Sequence, residues 1–184
     1  LLRKKVEAPP VANALSNLAE QESKQSQVWE QVIRDYGKDI RAAFANFIDW
    51  RDNSAHVLRE KDIHYGNSIP GDFSATYEKD GVRLGIVGLN SAFTQVNNGD
   101  FKGKLSIHGS QLLDACGKDP GKWLADHDAA MLMTHHPPDW FYPNARNCHF
   151  DGHIYAKDTF FLHLFGHVHE SRMQTISEQD FQNR

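Results

Sequence analysis

The chain has 184 residues, of which 40% are hydrophobic and 24% are charged, and its formal net charge is −4. This length supports one globular domain with a substantial core. The small negative charge offers no basic field for nucleic acids or anionic lipids, so neither is an expected partner. No apolar run approaches the roughly 18 residues that a membrane-spanning helix requires.

The two cysteines, Cys116 and Cys148, are too few for a disulfide framework. We therefore expect unpaired thiols, a reducing compartment and a cytoplasmic location. The sequence begins with Leu1 rather than Met, and we expect the natural start to lie upstream.

Residues 1–65 have a helical pattern and are interpreted as a helical insertion or cap region. Apolar residues recur at helix spacing from Val28 to Tyr36, with Gly37 as the expected end. Asp39 is the expected cap of a second helix. Its apolar face comprises Ile40, Ala43, Phe44, Phe47 and Ile48. These stripes predict the packing faces of a helical hairpin.

Strand patterns dominate after residue 70. Residues 72–93 alternate around Asp80-Gly81, which predicts a β-hairpin whose second strand spans 82–89. Residues 109–116 predict a short helix. The continuous apolar runs 129–134 and 160–165 are typical of buried strands. Helices followed by strands and short helices predict an α/β or α+β fold.

Each of the two buried strands runs into histidines. The first is followed by "HHPP", which holds His135 and His136, and the second by "GHVH", which holds His167 and His169. Carboxyl ends of neighbouring parallel strands share one sheet edge, and residues two apart in an extended chain face the same side. Neutral imidazole binds Zn, Mn and Fe. "HHPP" alone is also typical of a strand-ending turn, and an isolated His-x-His is often incidental. Together they predict a metal site of His135, His167 and His169.

The segments "THHPPDW" and "LFGHVHE" closely resemble the last two signature motifs of the calcineurin-like metallophosphoesterases. The resemblance covers roughly residues 70–172, including "RLGIVGLNSAF" and "GSQLLDAC". It implies a two-sheet αββα sandwich and hydrolysis of phosphomonoesters or phosphodiesters. It also implies a centre of two divalent or trivalent metal ions, of Mn, Fe or Zn.

The same resemblance implies individual roles for the histidines. His135 and His167 would bind one metal, and His169 would bind the other. His136 would lie just outside these ligands, in contact with a phosphate oxygen of the substrate or with a ligand.

Three earlier motifs of that family are not found in the sequence: Asp-x-His, Gly-Asp-x-x-Asp and Gly-Asn-His. "GNS" at 66–68 lacks the histidine, and "GDF" at 71–73 and 99–101 lacks the distal aspartate. "DGH" at 151–153 falls in a predicted loop between the last two motifs. We therefore expect residues 66–184 to be the C-terminal portion of a metallophosphoesterase domain. The full-length protein is the expected hydrolase, and this chain alone is expected to bind metal weakly and to be inactive.

Two other interpretations stay open. The chain is alternatively a catalytically incomplete regulatory or binding module derived from this fold. A single zinc ion held by three histidines, with one open position, is the third possibility. His163 is expected in the core or on a sheet face. No partner pattern accompanies the remaining histidines, which are His56, His64, His108, His127, His149 and His153.

Overall fold

The computed structural model describes residues 34–35, 37–54, 63–95 and 100–168. In these ranges the fold is mixed α/β and is built on one five-stranded sheet in the order β1-β2-β3-β4-β5. The strands are β1 (Ile63–Tyr65), β2 (Phe73–Lys79), β3 (Val82–Leu89), β4 (Ala129–Thr134) and β5 (Leu162–Phe165). The predicted α/β class is confirmed. A second sheet is not found in the ranges just given.

The hairpin predicted at Asp80-Gly81 is confirmed. β2 and β3 pair antiparallel. Next to the turn Lys79 lies opposite Val82, and at the far end Phe73 lies opposite Gly88. Asp80 has φ of 53° and Gly81 has φ of 79°, as the two central residues of a type I′ turn require. β1 pairs with β2 on the other side, so the sheet already begins at residue 63.

The last three strands are parallel, and their carboxyl ends are level. Leu89 of β3 lies opposite Thr134 of β4, which lies opposite Phe165 of β5. The two strands predicted from the apolar runs are neighbours, as expected. The burial predicted for the second run is wrong, because β5 is shorter than 160–165 and its residues are exposed or half-buried. Because the strand ends are level, the segments that leave β3, β4 and β5 all begin at one edge of the sheet.

The N-terminal helices differ from the predicted hairpin. Residues 37–43 are helical and lead to α1 (Ala45–Asn53). Gly37 as a helix end and Asp39 as a cap are therefore wrong. Glycine inside a helix costs only about 1 kcal/mol relative to alanine, and the burial of Ile40 and Ala43 offsets it. The residues from Val28 to Ile33, with Tyr36, lie outside the described ranges.

The remaining helices connect the parallel strands. α2 (Gly109–Ala115) confirms the predicted short helix and begins with a capping box of His108 and Gln111. α3 (Pro120–Ala125) comes next. A 3-10 helix (Pro138–Trp140) and a π-helix (Ala145–Ile154) join β4 to β5. The loop predicted for 151–153 is wrong, since these residues belong to the π-helix. No helix in the described part of the chain is both long and apolar enough to cross a membrane.

The two faces of the sheet have different surroundings. On one face, here called the core face, Val87 and Leu132 are fully buried and pack with side chains of α2 and the π-helix, such as Leu112 and Phe150. The opposite face is here called the open face. On it the exposed fractions of Met133, Leu162 and Leu164 are 41%, 37% and 42%.

Candidate metal centre

Three strand ends bring their side chains together at the carboxyl edge of the sheet. Ser91 follows β3, His135 and His136 follow β4, and His167 follows β5. One ring nitrogen from each of the three histidines lies within 4.8 Å of the others. The expected ligands His135 and His167 therefore are neighbours. His169 lies outside the described residues, and its role stays a prediction.

His135 and His167 form the accessible side of this group. Nδ1 of His167 lies 3.0 Å from Nε2 of His135, and the backbone N–H of Gly166 donates to the His135 carbonyl at 3.1 Å. A hydrogen bond between two imidazoles needs a proton on one nitrogen. A cation bound by both nitrogens would take that proton's place.

His136 forms the buried side of the group, with a fully buried side chain. Its backbone N–H donates to Oγ of Ser91 at 3.0 Å, and its Nδ1 lies 3.1 Å from the same oxygen. Nε2 of His136 is buried and has no hydrogen-bond partner in the described part of the chain. Such a nitrogen destabilises the fold by about 1–3 kcal/mol, and a bound cation would satisfy it.

The protonation of His136 suits a metal ligand. Burial, followed by the neighbouring His135 and His167, lowers the pKa of His136 to about 4. The imidazole is therefore neutral at pH 7, which is the form that binds metal ions. The sequence placed His136 outside the ligands, whereas the structure brings its ring into the same group.

Trp140 forms a wall of the site. Its indole stacks on His136 with ring centroids 5.2 Å apart and meets His167 edge-on at 4.2 Å. Asp139, the residue before Trp140, forms an ion pair with Lys102 at 3.6 Å.

The backbone at His167 is strained. His167 has φ of 68°, and the N–H of Val168 donates to the Gly166 carbonyl at 2.8 Å. This bond closes a three-residue γ-turn, a geometry that is rare and costs roughly 1–3 kcal/mol at a residue other than glycine. The extended conformation predicted through His167 is wrong, because β5 ends at Phe165. Such strain persists where surrounding contacts hold it and is frequent at functional sites.

A buried polar network lies at the same edge, next to the histidines. The carboxyl of Asp72 accepts from the Asn90 backbone N–H at 2.7 Å and from Nε2 of Gln111 at 3.1 and 3.2 Å. Burial outweighs these bonds and raises the pKa of Asp72 to about 8. The "GDF" segment at 71–73 does not match the metal motif. Its Asp72 instead binds the backbone of Asn90, the residue that follows β3.

An apolar cleft of about 560 Å³ begins at His135. It runs along the open face beside Met133 and Phe73 and reaches Phe44 and Phe47 of the N-terminal helices. An organic group bound next to the histidines would find hydrophobic surface in this cleft.

Sequence reasoning missed Ser91 as a partner of His136. The signal was available, because Ser91 comes two residues after the strand predicted at 82–89. Its partner His136 follows a neighbouring strand, so the rule that placed the histidines at one sheet edge also places Ser91 there.

Comparison of the chain with protein-family models, with curated proteins and with solved structures found no match. The resemblance to metallophosphoesterases therefore remains a prediction from the quoted motifs. The three imidazoles could together hold one metal ion of borderline softness, such as Zn²⁺, which imidazole ligands suit. A pair of metal ions also calls for carboxylate oxygens, and among the described residues the group around His136 contains histidines alone.

Proposed function

We propose that this chain carries part of the site of a metal-dependent phosphoester hydrolase of the metallophosphoesterase type. The observation that carries the proposal is the buried Nε2 of His136, which lacks a partner among the described residues and lies beside His135 and His167. These residues belong to the two segments that resemble the family's last two motifs. A strand-ending turn without a ligand gives no reason to leave that nitrogen unsatisfied.

The proposal includes the two-sheet sandwich and a cytoplasmic location. Parallel strands usually have both faces covered, so the exposed Met133, Leu162 and Leu164 favour a second layer over the open face. The unpaired Cys148, which is exposed, suits a reducing compartment.

Each residue has a task in the proposed reaction on phosphomonoesters or phosphodiesters. Bound metal ions would supply polarisation of the phosphoester and activation of water. His135 and His167 hold metal, with His169 as a further ligand, while Ser91 keeps the ring of His136 in place. Trp140 limits the access of water from one side. Further ligands, including carboxylates, would come from residues other than those described here.

Metal analysis and hydrolysis of p-nitrophenyl phosphate and bis(p-nitrophenyl) phosphate test the proposal. We expect two metal ions in the full-length protein and turnover that falls at least about 100-fold in His135→Ala, since a ligand to the catalytic metal is lost. His153→Ala is the matched control, because His153 lies exposed on the π-helix, and it should keep its activity. This chain alone should bind metal weakly and show little turnover.

The two alternatives give different results. The position of His136 favours a mononuclear site, for which one zinc ion without phosphoesterase activity is the expected result. Among the described residues the histidine group holds no carboxylate, and this favours the regulatory or binding module, for which neither metal nor turnover is expected. Full activity of His135→Ala in the full-length protein would contradict the hydrolase proposal.

A further inference from the structure

A chain of hydrogen bonds links the core face to the backbone of His136. Nε2 of His163 lies 2.8 Å from Oγ1 of Thr134, and Oγ1 donates to the His136 carbonyl at 2.7 Å. Thr134 is the last residue of β4, and His163 lies on β5, where its register partner in β4 is Leu132. The two hydrogen bonds therefore connect β5 to the turn that follows β4.

The direction of both bonds follows from counting protons. A threonine hydroxyl has one proton, and a carbonyl can only accept, so the proton of Thr134 points to His136. Nε2 of His163 must then be the donor to Thr134. This assigns His163 the Nε2–H tautomer. Burial, which lowers the pKa of His163 to about 4, agrees with a neutral ring that carries a single proton.

The ring of His163 has a fixed position among aromatic side chains. Its centroid lies 5.1 Å from Phe150 and from Phe165, and 5.7 Å from Tyr155. A donor in these surroundings has little freedom to turn away from Thr134, because packed side chains occupy the space around it.

The chain of bonds fixes His136 at a second point. Ser91 accepts from its backbone N–H, while Thr134 donates to its carbonyl. With both peptide groups held, the ring is kept between Ser91 and the other two histidines. We infer that His163 is a positioning residue of the candidate metal centre, acting through Thr134 on the backbone of His136. The inference rests on the proposed function, because it concerns the same centre.

A second histidine–threonine pair in the sheet provides a matched control. Nε2 of His127 lies 2.8 Å from Oγ1 of Thr76, the same distance as in the pair of His163 and Thr134. Its polarity is reversed, since Nδ1 of His127 donates to the Trp123 carbonyl at 2.6 Å and Nε2 must accept from Thr76. His127 precedes β4, and Thr76 lies within β2, away from the strand ends that hold the histidines.

The experiment is a Co²⁺ titration of this chain, followed by the visible absorption of the bound ion. Every protein carries Cys148→Ser, which removes the exposed thiol as a competing ligand. His163→Phe removes the donor, and Thr134→Val removes the hydroxyl. We expect each to weaken Co²⁺ binding roughly 10- to 100-fold, as changes of groups behind metal ligands do.

Conservative variants test whether the hydrogen bond is the cause. His163→Gln keeps an N–H donor near the position of Nε2, and Thr134→Ser keeps the hydroxyl. Both should retain Co²⁺ affinity within about threefold, as should the control variant Thr76→Val, because the bond to His136 survives in all three. Melting temperatures in the presence of EDTA show that each protein is folded.

Two results would overturn the inference while leaving the metal proposal intact. One is unchanged Co²⁺ affinity in folded His163→Phe and Thr134→Val. The other is a long-range ¹H–¹⁵N spectrum that shows His163 protonated at Nδ1 rather than at Nε2. Absence of Co²⁺ and Zn²⁺ binding by the parent chain would instead contradict the metal centre itself, and the positioning role with it.

Discussion

The two faces of the sheet differ in what covers them, although the same strands build both. On the core face, Val87 and Leu132 are fully buried, and His163 joins the aromatic cluster. On the open face, the exposed fractions of Met133 and Leu164 are 41% and 42%. Alternation along a strand places these neighbours on opposite sides.

This difference bears on how the candidate metal centre is held. His136 receives its support from the core face, through Thr134 and His163, and from Ser91 after β3. His135 faces the cleft along the open face. If the proposed metal is bound, His136 would be a fixed ligand and His135 an accessible one, and a substrate could approach the metal from the side of His135.

The largest expected difference is between two leucine truncations in neighbouring strands. Leu132→Ala on the core face should lower the free energy of unfolding by about 2–5 kcal/mol, because it leaves a cavity in a packed core. Leu164→Ala on the open face should lower it by less than about 1 kcal/mol. Urea denaturation of both variants measures the difference. Equal losses would mean that the open face is also covered in solution.

The second expected effect is a loss of stability in mild acid. Burial, the largest cause in each case, lowers the pKa of His163 and of His149 to about 4 and that of His108 to about 3. In the unfolded chain these imidazoles titrate near 6.5, so the unfolded state binds more protons between about pH 6.5 and pH 4. Stability should therefore fall as the pH drops through this window, because these three imidazoles outnumber Asp72, whose raised pKa of about 8 acts in the opposite direction.

Urea midpoints between about pH 4 and pH 8 measure this dependence. His163→Phe removes one of the contributing imidazoles, and its stability should fall less steeply with acid than that of the parent chain. A midpoint that stays constant from about pH 7 to pH 5 would show that the three imidazoles are not buried in solution.

The smallest expected effect is that of a charge on the open face. Leu164→Glu should change the free energy of unfolding of this chain by less than about 1 kcal/mol, because its side chain reaches water. In the full-length protein the proposed second layer would cover this residue, and the same change should then cost several kcal/mol. Equal small effects in both proteins, measured by denaturation, would contradict the second layer.

Local chemistry in the sequence predicted several elements well. Asp80-Gly81 specified the hairpin because its turn needs two residues at positive φ, and the apolar run 129–134 specified a strand, of which only one face is buried. Gly37 misled, since a helix can hold a glycine when residues farther along it, such as Ile40 and Ala43, are buried. The π-helix was missed because "DGH" carries the residues of a turn.

The sequence by itself determined that histidines follow two apolar strands, and strand topology then implies a shared edge. Only the tertiary structure decided that His136 joins His135 and His167 and that His163 holds it through Thr134. The bend at His167, with φ of 68°, also came from tertiary contacts. The physical reason is that hydrogen-bond partners such as Ser91 and His163 lie far from His136 along the chain. Sequence spacing predicts the sheet face or edge at which a side chain lies, but it does not predict which side chain from another segment will contact it there.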